Sequence, residues 1–290
     1  MLLQDMLVPG TGAERADVAA DDSLQRLLCA APATRYAEAA RLVRAGAVRV
    51  DDQALVIVAT PIASMIDDVG RVEAGVAVHR YAQNIGGRGV LHAVRDRYVV
   101  VLVASPDGAE LERRAAALGT GLHRELAAGW GGRHRASVGV GEVASSLAAA
   151  AQSYQEARWA ACVAGRVQES GPLARWRDLG VYQLFRGIDE RGADVLPAAV
   201  KVLLDCPNAE MLLDTLEVYL DTGGDAQATA ARLHLARGSL YYRLRRIEES
   251  AGVDLSDGRE RLTLHLGLKL AKLTGEWAGV RYGLLDSLAA

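Results

Sequence analysis

One phenylalanine, Phe185, and three lysines stand among 290 residues that carry thirty arginines. Cysteine is equally scarce: Cys29, Cys162 and Cys206 are few, odd in number and far apart. They form neither a disulfide framework nor a C-x-x-C metal pair, which fits a reducing, cytoplasmic setting. The N-terminus carries Asp5 where an export signal needs Lys or Arg ahead of an apolar run, so no such signal is expected. No stretch approaches ~18 uninterrupted apolar residues, and no membrane partner is expected either. A dominant charge is also missing. The net charge of −3 gives no chain-wide cationic field, so any nucleic-acid site must be local. What is present, 50% hydrophobic and 24% charged residues, is ordinary globular composition and excludes a mainly disordered or fibrous chain. The length implies about two domains. The Ala- and Arg-rich vocabulary is what a GC-rich, bacterial genome produces.

Along the chain, residues 1–34 mix apolar starts with Gly, Asp and Pro, and imply loose order with one short helix. Residues 35–45 have helical spacing. Ala54 to Ala59 is a strand-length apolar run, followed by a helix over 67–84 that opens on Asp67-Asp68. Two further strands, Val90–Val94 and Tyr98–Ala104, form a hairpin across Arg95-Asp96-Arg97. A helix over 107–128, a strand over Ala136–Val140 and a helix over 145–164 complete a β-α-β-β-α-β-α order, an α+β unit. Residues 169–205 read as a connector with a short helix around Tyr182-Gln183-Leu184. From about residue 206 to 275 the pattern is wholly helical, with a tail over 276–290.

Four helices are expected in that last stretch: 209–221, 225–234, 238–251 and 259–273. Thr222-Gly223-Gly224 ends the first and Asp225 caps the second. A tight turn, His234-Leu235-Ala236-Arg237, follows, with His234 at a position that favours a residue tolerant of left-handed backbone. Small residues (Ala228, Ala230, Ala231) let two short helices approach, as in a helix-turn-helix. In the third helix Leu240, Leu244, Ile247 and Ala251 share one face, while Ser239, Tyr242, Arg243, Arg245 and Arg246 lie opposite or beside it. From Arg232 to Arg246 there are five Arg and no acid, although residues 210–272 hold nine basic and ten acidic residues. Such a concentration suits phosphate neutralisation and bidentate contacts to guanine.

The segment over 212–270, with its run LYYRLRRIEE (240–249), Gly252 and the Asp254-Leu255-Ser256-Asp257 corner, resembles the C-terminal helix-turn-helix of the PucR/CdaR family of bacterial transcriptional regulators. The resemblance implies that Arg237, Ser239, Tyr242, Arg243 and Arg246 meet double-stranded DNA, and Arg245 and Thr229 are expected to contact it beside them. It also implies an activator; since one helix-turn-helix reads few base pairs, a homodimer or higher oligomer is expected, with RNA polymerase and a small-molecule effector as further partners. One departure is clear: relatives begin the third helix Arg-Asn-Thr, whereas this chain has Arg237-Gly238-Ser239. The central unit, 46–168, resembles the degenerate GGDEF-like domain of the same regulators. The expected fold is therefore α+β, a GGDEF-like βαββαβ domain followed by an all-α helix-turn-helix domain. Only about 50 residues precede the cyclase-like unit, so the sensory domain that relatives carry in front is expected to be absent or truncated.

No enzymatic activity and no cofactor are expected. Active diguanylate cyclases carry paired acids at the hairpin turn, and Val94-Arg95-Asp96-Arg97-Tyr98 has one carboxylate between two arginines. Gly223-Gly224-Asp225 resembles the start of the cyclase signature but joins two helices. Gly139-Val140-Gly141-Glu142-Val143-Ala144 fits a dinucleotide fingerprint, yet lacks the acid expected ~20 positions on. The six histidines show no ligand spacing, and no metal site is expected. The loop around Trp130, Arg133 and Arg135 is the one place where an aromatic and arginines could meet an anionic effector. The rival reading is a nucleotide-sensing module whose helical C-terminus makes protein contacts.

Overall fold

The computed structural model describes residues 22–62, 68–84, 89–95, 98–129, 135–167, 171–188 and 195–277. The chain divides between Gly180 and Val181 into two compact units.

The first unit opens with helices α1 (22–29) and α2 (Pro32–Arg44), then runs β1 (Gln53–Ile62), α3 (Asp68–Asn84), β2 (Val90–Val94), β3 (Val99–Ser105), α4 (Gly108–Gly129), β4 (Arg135–Val140), α5 (Ala150–Arg166) and β5 (Leu173–Arg175). The strands form one sheet in the order β2-β3-β1-β4-β5. β1 is antiparallel to β3 and β4, and only β5, against β4, is parallel. β1 runs on through Pro61. Its pairing with β3 ends at Ala59, so the missing proline N–H deprives no β3 partner.

Helices on both faces explain why the central strands read as continuous apolar runs rather than alternating ones. Leu55, Ile57 and Ala59 of β1, with Val99, Val101 and Val103 of β3, pack under α3 and α4. Ala54, Val56 and Val58, with Val100 and Leu102, pack under α1, α2 and α5. Leu24, Leu27, Leu28 and Leu42 are buried in that second core, so the N-terminal helices are part of this unit. β5 lies inside the stretch expected as connector. Three residues are too few to show a period, and its Gly171-Pro172 entry reads as loop.

The contact between β4 and α5 rests on glycine. A Cβ at Gly139 would overlap the carbonyl oxygen of Ala157 and the amide nitrogen of Ala161. At Gly141 it would overlap the carbonyl oxygen of Ser153. Beside them the Ser153 hydroxyl accepts the Val56 N–H at 2.9 Å, and the Glu156 carboxylate accepts the Glu142 N–H at 2.9 Å. The two glycines of the apparent dinucleotide fingerprint are therefore packing residues, and a carboxylate holds the amide that a phosphate would need.

In the second unit, a 3-10 turn ending at Phe185 buries Tyr182 and Phe185, whose rings meet edge to face at 6.1 Å. This is the short helix expected around Tyr182. Helices α6 (Ala198–Leu204), α7 (Ala209–Asp221), α8 (Ala226–Arg232), α9 (Arg237–Ala251) and α10 (Gly258–Thr274) follow. Leu212, Leu213, Leu216, Leu240, Ile247, Leu264 and Leu268 form their core. The spans of α7 to α10 match the sequence expectation to within one residue, except that α8 stops at Arg232, two residues early; α6 lies inside the stretch expected as connector.

Candidate nucleic-acid interface

The interface is built on two caps and one strained turn. Gly223 and Gly224 end α7 at φ 69° and 87°, and the Asp225 carboxylate then accepts the N–H groups of Gln227 and Ala228 at 2.8 and 3.1 Å. The cyclase-like string is thus a C-terminal glycine pair followed by an N-cap, as expected. Between α8 and α9 the chain turns at His234, whose φ of 55° is the one positive value at a non-glycine among the described residues. Gly252 closes α9 in left-handed geometry. The following corner buries Leu255, and the Asp257 side chain caps α10.

On α9, Leu240, Leu244 and Ile247 are buried, which turns the opposite face outward. Arg237, Ser239, Tyr242, Arg245 and Arg246 are exposed there, Tyr242 at 67%. Tyr241, which the sequence reading left out, is also exposed, on the flank of the same helix. Two expectations change. Thr229 is fully buried on α8: its hydroxyl bonds to Thr222 Oγ1 at 2.7 Å and to the Asp225 carbonyl at 2.6 Å. It fastens α8 to the end of α7 and presents no group outward. Arg243 is half-buried and donates to Thr215 Oγ1 of α7 at 3.2 Å, which holds α9 in place.

The exposed arginines differ in their partners. Arg245 pairs with Glu249 one turn on at 2.9 Å, an exposed contact of small energy. Arg237 donates to Gln227 Oε1 at 3.1 Å, linking the two helices of the motif. Ala236 is the N-cap of helix α9 and offers no side-chain hydrogen bond. Gly238 stands in its first turn with open space around the position of a Cβ. Gly238→Ala should therefore raise stability by about 0.5 kcal/mol, since only unfolded-chain entropy changes. A thermal melt shifted upward by a degree or two checks this.

α7 and α10 are joined by charge, with two of the chain's three lysines. Lys269 contacts Glu217 at 2.9 Å and Asp221 at 3.0 Å, Lys272 contacts Glu217 at 2.6 Å, and His265 contacts Asp221 at 2.7 Å. His265 is thus a partner in this network. Burial alone would raise the Asp221 carboxyl, but the hydrogen bonds from Lys269 and His265 outweigh it and hold the group below its usual 3.8. A carboxyl lowered in the folded state stabilises the fold above its unfolded value. That contribution is lost as pH falls through the folded value. Asp221→Asn should therefore flatten the loss of stability below about pH 4, measured by urea denaturation of both proteins across acid pH.

In the first unit, the flanks of the β2–β3 hairpin are occupied by its own chain. Arg95 donates to Gln25 of α1 at 3.3 Å, and the Tyr98 ring lies 6.5 Å from that of Tyr154 on α5. Burial and the Tyr98 hydroxyl keep the Tyr154 phenol protonated well above its ordinary range. The space left beside Leu28, Cys29, Arg95, Tyr98 and Tyr154 is about 10 Å³, room for one water. Asp96 and Arg97 lie outside the described residues, as do Trp130 and Arg133. Arg135 opens β4 opposite Ile62. Among the described residues no group of three or more His, Cys, Asp or Glu could hold a metal ion, and no helix is long and apolar enough to cross a membrane.

The second unit is a helix-turn-helix domain, which follows the α+β unit in sequence. Comparison with known proteins agrees: residues 212–270 match the PucR C-terminal helix-turn-helix domain, and residues 12–163, more than half of the chain, match a GGDEF-like domain. The chain belongs to the PucR family of transcriptional regulators. The GGDEF-like match takes in α1 and α2, in keeping with their burial against the sheet. Among relatives, the proline-responsive transcriptional activator PutR of Bacillus subtilis is 31% identical over 142 residues, covering 47% of this chain and 34% of PutR. The DNA-binding transcriptional activator AdeR of the same organism is 25% identical over 139 residues, covering 46% and 33%. The purine catabolism regulatory protein of B. subtilis is 39% identical over 64 residues, covering 22% and 12%. The matched segments thus span about a third or less of these relatives' lengths. A solved structure, the regulator of polyketide synthase expression from Bifidobacterium adolescentis, aligns over 91% of this chain and 95% of that one, at 18% identity and a TM-score of 0.42.

Proposed function

We propose that this chain is a sequence-specific DNA-binding regulator of transcription that inserts α9 into the major groove. The observation that carries the reading is the outward face of α9: Ser239, Tyr242, Arg245 and Arg246 exposed on a helix locked from behind by Leu240, Leu244 and Ile247. The acid-free stretch from Arg232 to Arg246 supplies local positive charge in a chain of net charge −3. In this reading Arg245 and Arg246 meet phosphate or guanine, Tyr242 and Ser239 contact the groove wall, and Arg237 steadies the entry of the helix. Arg243 is a positioning residue through Thr215. One helix-turn-helix reads few base pairs, so two copies act on paired half-sites. By likeness to PutR and AdeR, both named as activators, we assign activation, and no enzymatic role.

Selection of genomic fragments by the purified chain, followed by footprinting, tests this reading. Discrete protected sites with two halves about one helical turn apart are the expected result. Protection independent of sequence contradicts it.

A further inference from the structure

Helix α3 covers the first sheet face with Ala74, Ala77 and Val78, all buried. Its other side is also apolar. Val69, Val72 and Val76 are 66%, 67% and 61% exposed, and their i, i+3, i+7 spacing sets them in one seam. A helix apolar on two faces is suited to cover on both, and among the described residues only the inner face has it. The spacing is that of helices packed side by side in coiled coils.

Gly75 sits beside this seam. A Cβ there would meet nothing within 4 Å, whereas at Gly119 or Gly139 it would collide with the chain's own atoms. Glycine in a helix interior costs roughly 0.5–1 kcal/mol against alanine, and no contact at Gly75 among the described residues offsets that. A small residue at a helix contact does allow a second helix to come close.

Charge selects the second helix. Glu73 borders the seam one turn before Val76, and Arg80 borders it one turn after. Rotation about a two-fold axis at Val76 brings an antiparallel copy whose Arg80 faces Glu73 of the first, and the reverse, so the surface complements itself. Arg80 already pairs with Glu125 of α4. Its side chain stays 52% exposed, and a guanidinium has five donors.

We propose that α3 is the self-association surface of this protein, with a second copy of the chain docked antiparallel, seam against seam. The assignment names the contact that the two half-site reading requires, and rests on that reading only for the need of a second copy. One helix of 17 residues per protomer makes a small interface against the ~800 Å² per partner of a standard one. The dimer should therefore exchange on dilution.

Analytical ultracentrifugation of the full chain from ~1 to ~100 µM tests the proposal. The expected mass rises from 30.8 kDa toward twice that value, and Val72→Glu/Val76→Glu remains at the monomer mass with an unchanged circular dichroism spectrum. A second arm is independent of that variant's folding. With Cys29 and Cys206 replaced by serine, mild oxidation should link Val76→Cys chains in pairs, but not Val50→Cys chains, whose position is 86% exposed elsewhere on the same unit. A wild-type mass of 30.8 kDa at every concentration overturns the proposal. So does association unchanged in the double variant together with no Val76→Cys linkage. Anisotropy with a single half-site duplex, run on the same variants, separates this result from the DNA reading: loss of self-association with half-site binding intact locates the contact on α3, whether or not wild-type DNA binding proves selective.

Discussion

Replacing Arg245 and Arg246 together by alanine should weaken DNA binding about a hundredfold or more while leaving the melting temperature within a degree or two. Each arginine that bridges a guanine or neutralises a phosphate is worth roughly 1–3 kcal/mol, and each lost phosphate contact lowers the salt slope by about one. Both side chains are exposed, and the Arg245–Glu249 pair contributes little to stability. Arg243→Ala should behave in the opposite way. It removes the donor to the buried Thr215 hydroxyl, so it should cost about 1–2 kcal/mol of stability. Any loss of affinity should then track the loss of folded helix. Urea denaturation beside a binding titration distinguishes the two classes.

Gly139→Ala should be the most damaging single methyl in the first unit, costing about 3 kcal/mol or more. The added carbon would overlap main-chain atoms of Ala157 and Ala161, which cannot move without shifting α5 off the sheet. Gly119→Ala is the control. There the nearest atom is Leu173 Cδ1 at 2.9 Å, the far end of a side chain that can rotate, so the cost should be about 1 kcal/mol. Paired denaturation curves that rank the two variants the other way would show that β4 and α5 do not pack as described.

The helical half was legible in sequence because its signals are local. Gly223-Gly224-Asp225, His234 and Gly252 each impose a turn through their own backbone or side chain, and Leu240, Leu244 and Ile247 mark a face within a single helix. The order of the first four strands and their helices was legible for the same reason: each of those strands declares itself by an apolar run. What was not legible depends on partners distant in sequence. Thr229 looks like any exposed threonine in a short helix until Thr222 and Asp225 are found beside it. Arg243 looks like Arg246 until Thr215, 28 residues earlier, is seen to accept its hydrogen bond. The N-terminal helices show helical spacing but not what it packs on, and Leu24, Leu27, Leu28 and Leu42 acquire a core only from the sheet's second face. β5 is too short for any period to show.

The most direct test of the account is fluorescence anisotropy with duplexes from the region upstream of the gene, titrated against salt for wild type and for Arg245→Ala/Arg246→Ala. Saturable binding that prefers one sequence, falls with salt, and is lost with a shallower salt slope in the double variant is the predicted result. Equal, weak affinity for every duplex, unchanged by the two substitutions, would contradict the assignment of α9 as the DNA-reading helix.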